Sequence, residues 1–200
     1  VYRQYAYTRS RGVVWTNVVL TAPDQLRQRI AWALSQTFVI GESASVSTAM
    51  HESWLVYLDI LVRNAFGDFK TLLKEIAYSA LMGRYLTFRG NRGFTAGKTY
   101  PDENFAREIM QLFTIGLWRL NPDGTYVEAD GERIETYDNE DIRDFSRVWT
   151  GFDYQALRGN IEFRGVNEID PMRIRPAWRD EFPKMNLFDG YIGDAYPLCK

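Results

Sequence analysis

Apolar and polar positions alternate at helical spacing through most of this chain. In "DQLRQRIAWALSQTFVI", which follows Pro23, apolar residues occur nearly all round, predicting a central, buried helix from Pro23 to about Ile40. Arg29 and Gln36 lie on one face of it, and an arginine buried there requires an anionic partner. "GESASVSTA" reads as a loop. "HESWLVYLDILVRNAF" is a second helix ended by Gly67. "DFKTLLKEIAYSALMGRYL" is a third, capped by Asp68 and expected to break near Ser79–Gly83. A glycine-rich basic loop, "TFRGNRGFTAGKTY", leads to a fourth helix from Pro101 to Leu117 with a glycine stop. That helix carries Phe105, Ala106, Ile109, Met110, Leu112 and Phe113 on one arc, and Glu103, Asn104, Arg107, Glu108 and Gln111 on the other.

Beyond Gly116 the period shortens. Asn121-Pro122-Asp123-Gly124 suits a type I turn and Asp130-Gly131 another tight turn, so a β ribbon is expected from Leu117 to Thr136. "YDNEDIRDFSRVWTGF" predicts a fifth helix, with Asp138 as N-cap, Glu140 and Asp141 in the first turn, and Gly151 at the end. Residues 1–21 read as an extended or irregular aromatic arm. Residues 153–200, interrupted by Pro171, Pro176, Pro183 and Pro197, read as an irregular arm with a helical turn at "PAWRDEF". The expected fold is mainly α: about five helices in an orthogonal bundle over 22–152, with an inserted β-hairpin and an irregular C-terminal arm.

Composition narrows the function classes. The 200 residues are 46% hydrophobic, enough for a packed core, and the net charge of −2 gives no general attraction to nucleic acid or anionic membrane. No apolar run is long enough to span a membrane. A single cysteine, Cys199, excludes an internal disulfide, and could pair only outside this chain. A single histidine, His51, excludes a multi-histidine metal site. No cofactor or metal is expected. "NPDGTYVEADGE" and "FDGYIGD" (Asp189, Asp194) offer oxygen ligands for calcium, but both read better as turns. Val1 is not an initiator methionine and no signal peptide opens the chain, which is read as a piece of a longer protein.

The polar face of the fourth helix is the main candidate for chemistry. Glu103 and Arg107, spaced i, i+4, suit a surface ion pair. Arg107 or Glu108 could instead pair with a buried group such as Arg29. Glu103 and Glu108 point to different sides of the helix, so an acid/base pair would need a third carboxylate, Asp141 or Glu140. Nucleophilic catalysis would have to use His51, and no nucleophile elbow is present. The basic loop interleaves Arg84, Arg89, Arg92 and Lys98 with Tyr85, Phe88 and Phe94, a pattern that suits an anionic polymer or a solvated surface.

Four blocks occur in one order: "LRQRIAWALSQTFV", "FKTLLKEIAYSALMGRYL", "PDENFAREIMQLFTIG" and "YDNEDIRDFSRVWTGF". Together, over roughly 22–152, they resemble the family called "domain of unknown function 1800". The family's strongest block, P-N-E-N-[FY]-A-R-E-L-x-E-L-[FH]-T-L-G, is similar to Pro101–Gly116. Its closing block is similar to Tyr137, Asp141, Ile142 and Thr150-Gly151-Phe152. Two departures stand out: "WALSQTF" lacks the histidines common on the first helix, and the ribbon is an insertion. The ending suggests a eukaryotic, algal branch. The resemblance implies a mostly helical, often exported protein with no established activity. It also implies that Glu103, Asn104, Arg107 and Glu108 are constrained, as part of a polar network with Arg29 or of a site.

These readings favour a non-catalytic structural or interaction module of a larger exported or surface protein. Its expected partners are the rest of the parent chain or other protein subunits. One alternative is a carboxylate-based enzyme acting on polysaccharide, with Glu103, Glu108 and Asp141 as candidates and Arg107 as substrate clamp. The other is binding of an anionic glycan by the Arg84–Lys98 loop.

Overall fold

The computed structural model describes residues 2–41, 51–159, 165–188 and 190–192. Cys199, Asp189, Asp194 and the predicted loop beyond Gly41 lie outside these residues. The described residues hold eight α-helices, one 3₁₀ turn and six two-residue strands, so the protein is mainly α with a hairpin insertion. The chain divides into two compact units: Val1–Arg89 with Asp153–Arg173, and Gly90–Phe152 with Ile174–Lys200.

The first unit contains α1 (Tyr2–Thr21), α2 (Gln25–Thr37), α3 (His51–Arg63), α4 (Phe69–Tyr78) and α5 (Ala80–Tyr85). Residues 2–21, expected to be irregular, are therefore helical. Their aromatic and basic composition does not forbid a helix, and α1 packs on both α2 and α3. The central helix is α3, which contacts α1, α2, α4 and α5. By contrast, α2 buries Gln28 and Ala31 but leaves Leu26 and Trp32 exposed, correcting the expectation that it is buried all round. Its apolar positions outnumber the faces that find partners. The core gathers Phe38, Tyr57, Leu61, Ile76, Leu81, Met82 and Phe88. The Tyr57 hydroxyl donates to the Phe38 carbonyl at 2.6 Å, and burial raises its pKa.

Asp68 caps α4, accepting the Thr71 amide at 2.8 Å. The predicted break falls at Ser79, whose extended backbone (ψ 125°) separates α4 from α5. The Tyr78 carbonyl, left without a helical partner, accepts the Met172 amide at 2.7 Å. A Cβ at Gly83 would lie 2.5 Å from the Met172 methyl, so a side chain there would have to push the flexible end of Met172 aside.

The second unit contains α6 (Phe94–Gly97), α7 (Asn104–Gln111), β1 (Glu128–Ala129), β2 (Glu132–Arg133) and α8 (Asn139–Val148). The strands β3 (Phe152–Asp153) and β4 (Arg173–Ile174) are where the chain passes between units. The 3₁₀ turn Pro176–Trp178, β5 (Lys184–Met185) and β6 (Tyr191–Ile192) complete the second unit. The turn lies within the predicted "PAWRDEF".

α7 is shorter than the predicted 101–117. The chain loosens after Gln111, and the Ile115 and Gly116 amides both donate to the Met110 carbonyl at 3.0 Å. Gly116 sits at φ +76°, so it is the glycine stop, one loosened turn beyond the helix proper. The ribbon forms as expected. Trp118 faces Glu135, Leu120 faces Tyr126, and β1 pairs antiparallel with β2 in the register Glu128–Arg133 and Ala129–Glu132. α8 packs between α7 and β5. Phe105 meets Trp149 edge-on with ring centroids 4.7 Å apart, Trp149 lies 5.8 Å from the Phe152 ring, and Met110 and Ile142 are buried in the same unit.

Candidate functional site

The start of α7 is built from Asp102, not Glu103. The Asp102 carboxylate accepts the Asn104 amide at 2.9 Å. Asn91 holds Asp102 in place, its side chain donating to the Asp102 carbonyl (3.1 Å) and accepting the Asp102 amide (3.3 Å). Glu103 pairs with Arg107 at 3.6 Å, with both side chains more than 40% exposed. Such a pair contributes about 0.3–0.5 kcal/mol. Asn104 is exposed.

Glu108 turns the other way. It is half-buried, and its Oε2 is enclosed without a hydrogen bond. The same holds for the Tyr137 hydroxyl and the Thr136 Oγ1, with Tyr137 only 8% exposed. Burial raises the Tyr137 pKa, Arg107 opposes the rise, and Glu108 and Glu135 add to it. Arg107, Glu108 and Tyr137 therefore share one electrostatic environment. Asp141 has a different task. Its Oδ2 accepts the Asp138 amide at 2.9 Å while Asp138 accepts the Glu140 and Asp141 amides, completing a capping box. Arg29, expected to be buried, is exposed on α2 in the first unit, where solvent satisfies its charge.

The densest charged cluster involves residues that the sequence reading did not single out. Arg147 on α8 bonds Asp144 at 2.7 Å, Asp180 at 3.1 Å and the Pro183 carbonyl at 2.9 Å. Lys184 is 1% exposed; its Nζ donates to the Asp180 carbonyl at 2.9 Å and the Phe182 carbonyl at 2.7 Å, and lies 3.4 Å from the Asp180 carboxylate. Met185 donates its amide to Asp144 at 2.7 Å. Arg179 donates to the Val148 and Thr150 carbonyls at the C-terminal end of α8. Thr150 Oγ1 accepts the Asp180 amide at 2.8 Å and donates to the Arg147 carbonyl. Three cations, Arg147, Arg179 and Lys184, and two carboxylates, Asp144 and Asp180, thus hold the segment Arg179–Met185 on α8. The i, i+3 spacing of Asp144 and Arg147 and the i, i+4 spacing of Asp180 and Lys184 were the local hints; the contacts that join the segment to α8 link residues about thirty to forty positions apart.

The basic loop runs from the first unit into the second. In the first unit Arg84 pairs with Glu168 at 3.0 Å, and Tyr154 donates to the same carboxylate at 3.1 Å. Arg89 lies 3.7 Å from Asp153 and 4.4 Å over the Tyr154 ring. In the second unit Arg92 sits 4.2 Å over the Trp178 ring, and Arg175 is 4.5 Å from the same ring. Lys98 is exposed at φ +60°, and Phe94 and Tyr100 form a ring pair at 5.2 Å.

Among the described residues, no three His, Cys, Asp or Glu side chains gather as metal ligands, and no helix is long and apolar enough to cross a membrane. No curated protein and no solved structure gives a significant match to the chain. The family described as "Protein of unknown function (DUF1800)" matches residues 2–191, a span wider than the four motif blocks; the match places the chain in no particular branch. The blocks, now seen as a capped helix start, a glycine-ended helix and a clasped closing turn, agree with that match, and the chain belongs to the DUF1800 family.

Proposed function

We propose that this chain is a non-catalytic structural and interaction module of a larger exported or surface protein, working with other protein, either the rest of its parent chain or separate subunits. The observation that carries this reading is the engagement of its motif side chains in holding the chain together. Asp141 completes the cap of α8, Glu103 pairs with Arg107, and Thr150 receives the clasped segment. General acid/base chemistry on a glycosidic bond needs two carboxylates facing one reacting centre, and two of the three candidates are engaged elsewhere. Exposed Leu20, Leu26 and Trp32 give the module apolar surface suited to protein contact. A turnover screen on neutral and acidic polysaccharides tests this reading, with no activity as the expected result. Turnover that disappears in Glu108→Gln at unchanged melting temperature overturns it.

One observation favours the enzymatic alternative: the Glu108 Oε2 and the Tyr137 hydroxyl are both enclosed without hydrogen bonds. A carboxylate beside a tyrosine in an enclosed setting is an arrangement used for proton transfer. On that reading Tyr137→Phe abolishes turnover in the same screen. On the module reading, Tyr137→Phe removes a hydroxyl with no partner and leaves stability unchanged or slightly raised.

A further inference from the structure

We propose that copies of this chain associate head to tail, the basic and apolar face of α1 and α2 in one copy docking on the acidic ribbon of the next. This rests on the reading of the chain as an interaction module and names a second copy as its partner. Charge is segregated along the sequence. Residues 1–40 hold five arginines and one aspartate, a net charge of +4, whereas residues 117–141 hold eight carboxylates and two arginines, a net charge of −6. The exposed side of α1 carries Val13, Val14, Val18 and Leu20, at 66%, 44%, 40% and 75% exposure. Val13 and Leu20 are seven residues apart and Val14 and Val18 four, so the two rows adjoin on one face. Trp32 of α2, 56% exposed, stacks on Trp15 with ring centroids 6.5 Å apart. Trp15 is one turn from Val18, so aromatic surface continues the aliphatic one. Single exposed leucines need no explanation, but a run of them on one face marks a contact surface. Valine is moreover a weak helix former, and an exposed valine returns no packing to its own helix. Arg29 is exposed on α2 beside this surface's tryptophan-bearing helix face.

The ribbon offers the opposite charge on a similar apolar base. Leu120 and Tyr126 face each other across it, at 56% and 44% exposure, and Leu117 is 43% exposed. Asp123, Glu128, Asp130, Glu132 and Glu135 are all exposed on the same ribbon. The helix face lies within the first compact unit and the ribbon within the second. A symmetric contact would set +4 against +4 or −6 against −6, and like charges across an interface cost affinity. A contact between the unlike faces steers two copies together and covers apolar surface on both sides. It leaves one face of each terminal copy open, so it extends into rings or rows of copies rather than stopping at a dimer.

The test is sedimentation velocity of the full chain over a range of concentrations, at about 0.1 M and about 1 M salt. Species larger than the monomer should grow with concentration, and their association should weaken about tenfold at the higher salt. Leu20→Glu places a carboxylate on the helix face and Leu120→Lys a cation on the ribbon; each should leave a monomer at unchanged melting temperature. Mixed together, the two variants should form a one-to-one complex and nothing larger, because the first keeps its ribbon and the second its helix face. Three results overturn the proposal. One is a chain that stays monomeric at every concentration. Another is loss of association in only one of the two variants, which marks a symmetric contact. The third is binding to phosphatidylglycerol vesicles that Leu20→Glu abolishes and Leu120→Lys leaves untouched, which assigns the helix face to a membrane surface. A monomeric chain leaves the module reading standing with a different protein partner, and the turnover screen tests that reading by itself.

Discussion

Gly151 stands at φ +84°, with the Arg175 carbonyl 3.0 Å from where a Cβ would sit. Both the backbone region and the space exclude a side chain, so Gly151→Ala should cost about 2 kcal/mol in urea unfolding. The sequence marked Gly151 as a helix end, and the structure adds that the returning chain lies against it. Lys184 is a different case. Nothing in "FPKMN" distinguishes it from a surface lysine, yet it is 1% exposed with its ammonium directed at Asp180 and two carbonyls. Lys184→Met removes a buried cation and leaves Asp180 under-compensated, and should destabilise the fold by about 3 kcal/mol in the same assay. Its burial was not legible because it depends on where the segment docks, which local spacing does not encode.

Elements were legible where short-range chemistry decides them. The caps Asp68 and Asp138, the break at Ser79 and the ribbon turns all rest on contacts within a few residues. Asp138→Ala should cost about 1 kcal/mol, because it leaves the Glu140 and Asp141 amides without their acceptor. Asp68 adds a pH dependence. Hydrogen bonds from the Thr71 side chain, then the Thr71 amide, hold its pKa below the usual aspartate value. A carboxyl depressed in the folded state contributes its stability in full above the unfolded value of about 3.9 and loses it as pH falls through the lower folded value. Acid unfolding of Asp68→Asn should therefore lack that part of the loss below about pH 4. α1 and the end of α7 were misjudged for the opposite reason. Helix α1 is supported by α2 and α3, and α7 loosens after Gln111 although its apolar pattern continues to Phe113.

At the scale of the molecule the chain crosses between its two units at residues 89–90, 152–153 and 173–174. The last crossing returns the segment that carries Asp180 and Lys184 to α8. A chain ending at Arg173 leaves Arg147 and the C-terminal carbonyls of α8 without these partners. Hydrogen exchange should then show lost protection in α8 and retained protection in α3 and α4, whose contacts lie within the first unit. Equal loss in all three helices would show that the clasp supports more than its own unit. The exposed apolar residues behave differently: Leu20→Ser and Leu26→Ser, at 75% and 65% exposure, should each change stability by less than about 0.5 kcal/mol.

By itself, the sequence determined the helical class, the family, the caps, the ribbon and the identity of the polar residues on α7, because each depends on neighbours three or four positions away or on motif order. Only the tertiary structure decided which charges are engaged. It exposed Arg29, turned Asp141 into a cap, tied Arg84 and Arg89 to Glu168 and Asp153, and brought Arg92 and Arg175 onto one indole. A charge's role depends on desolvation and on partners brought close by chain return, and neither quantity is carried by local sequence.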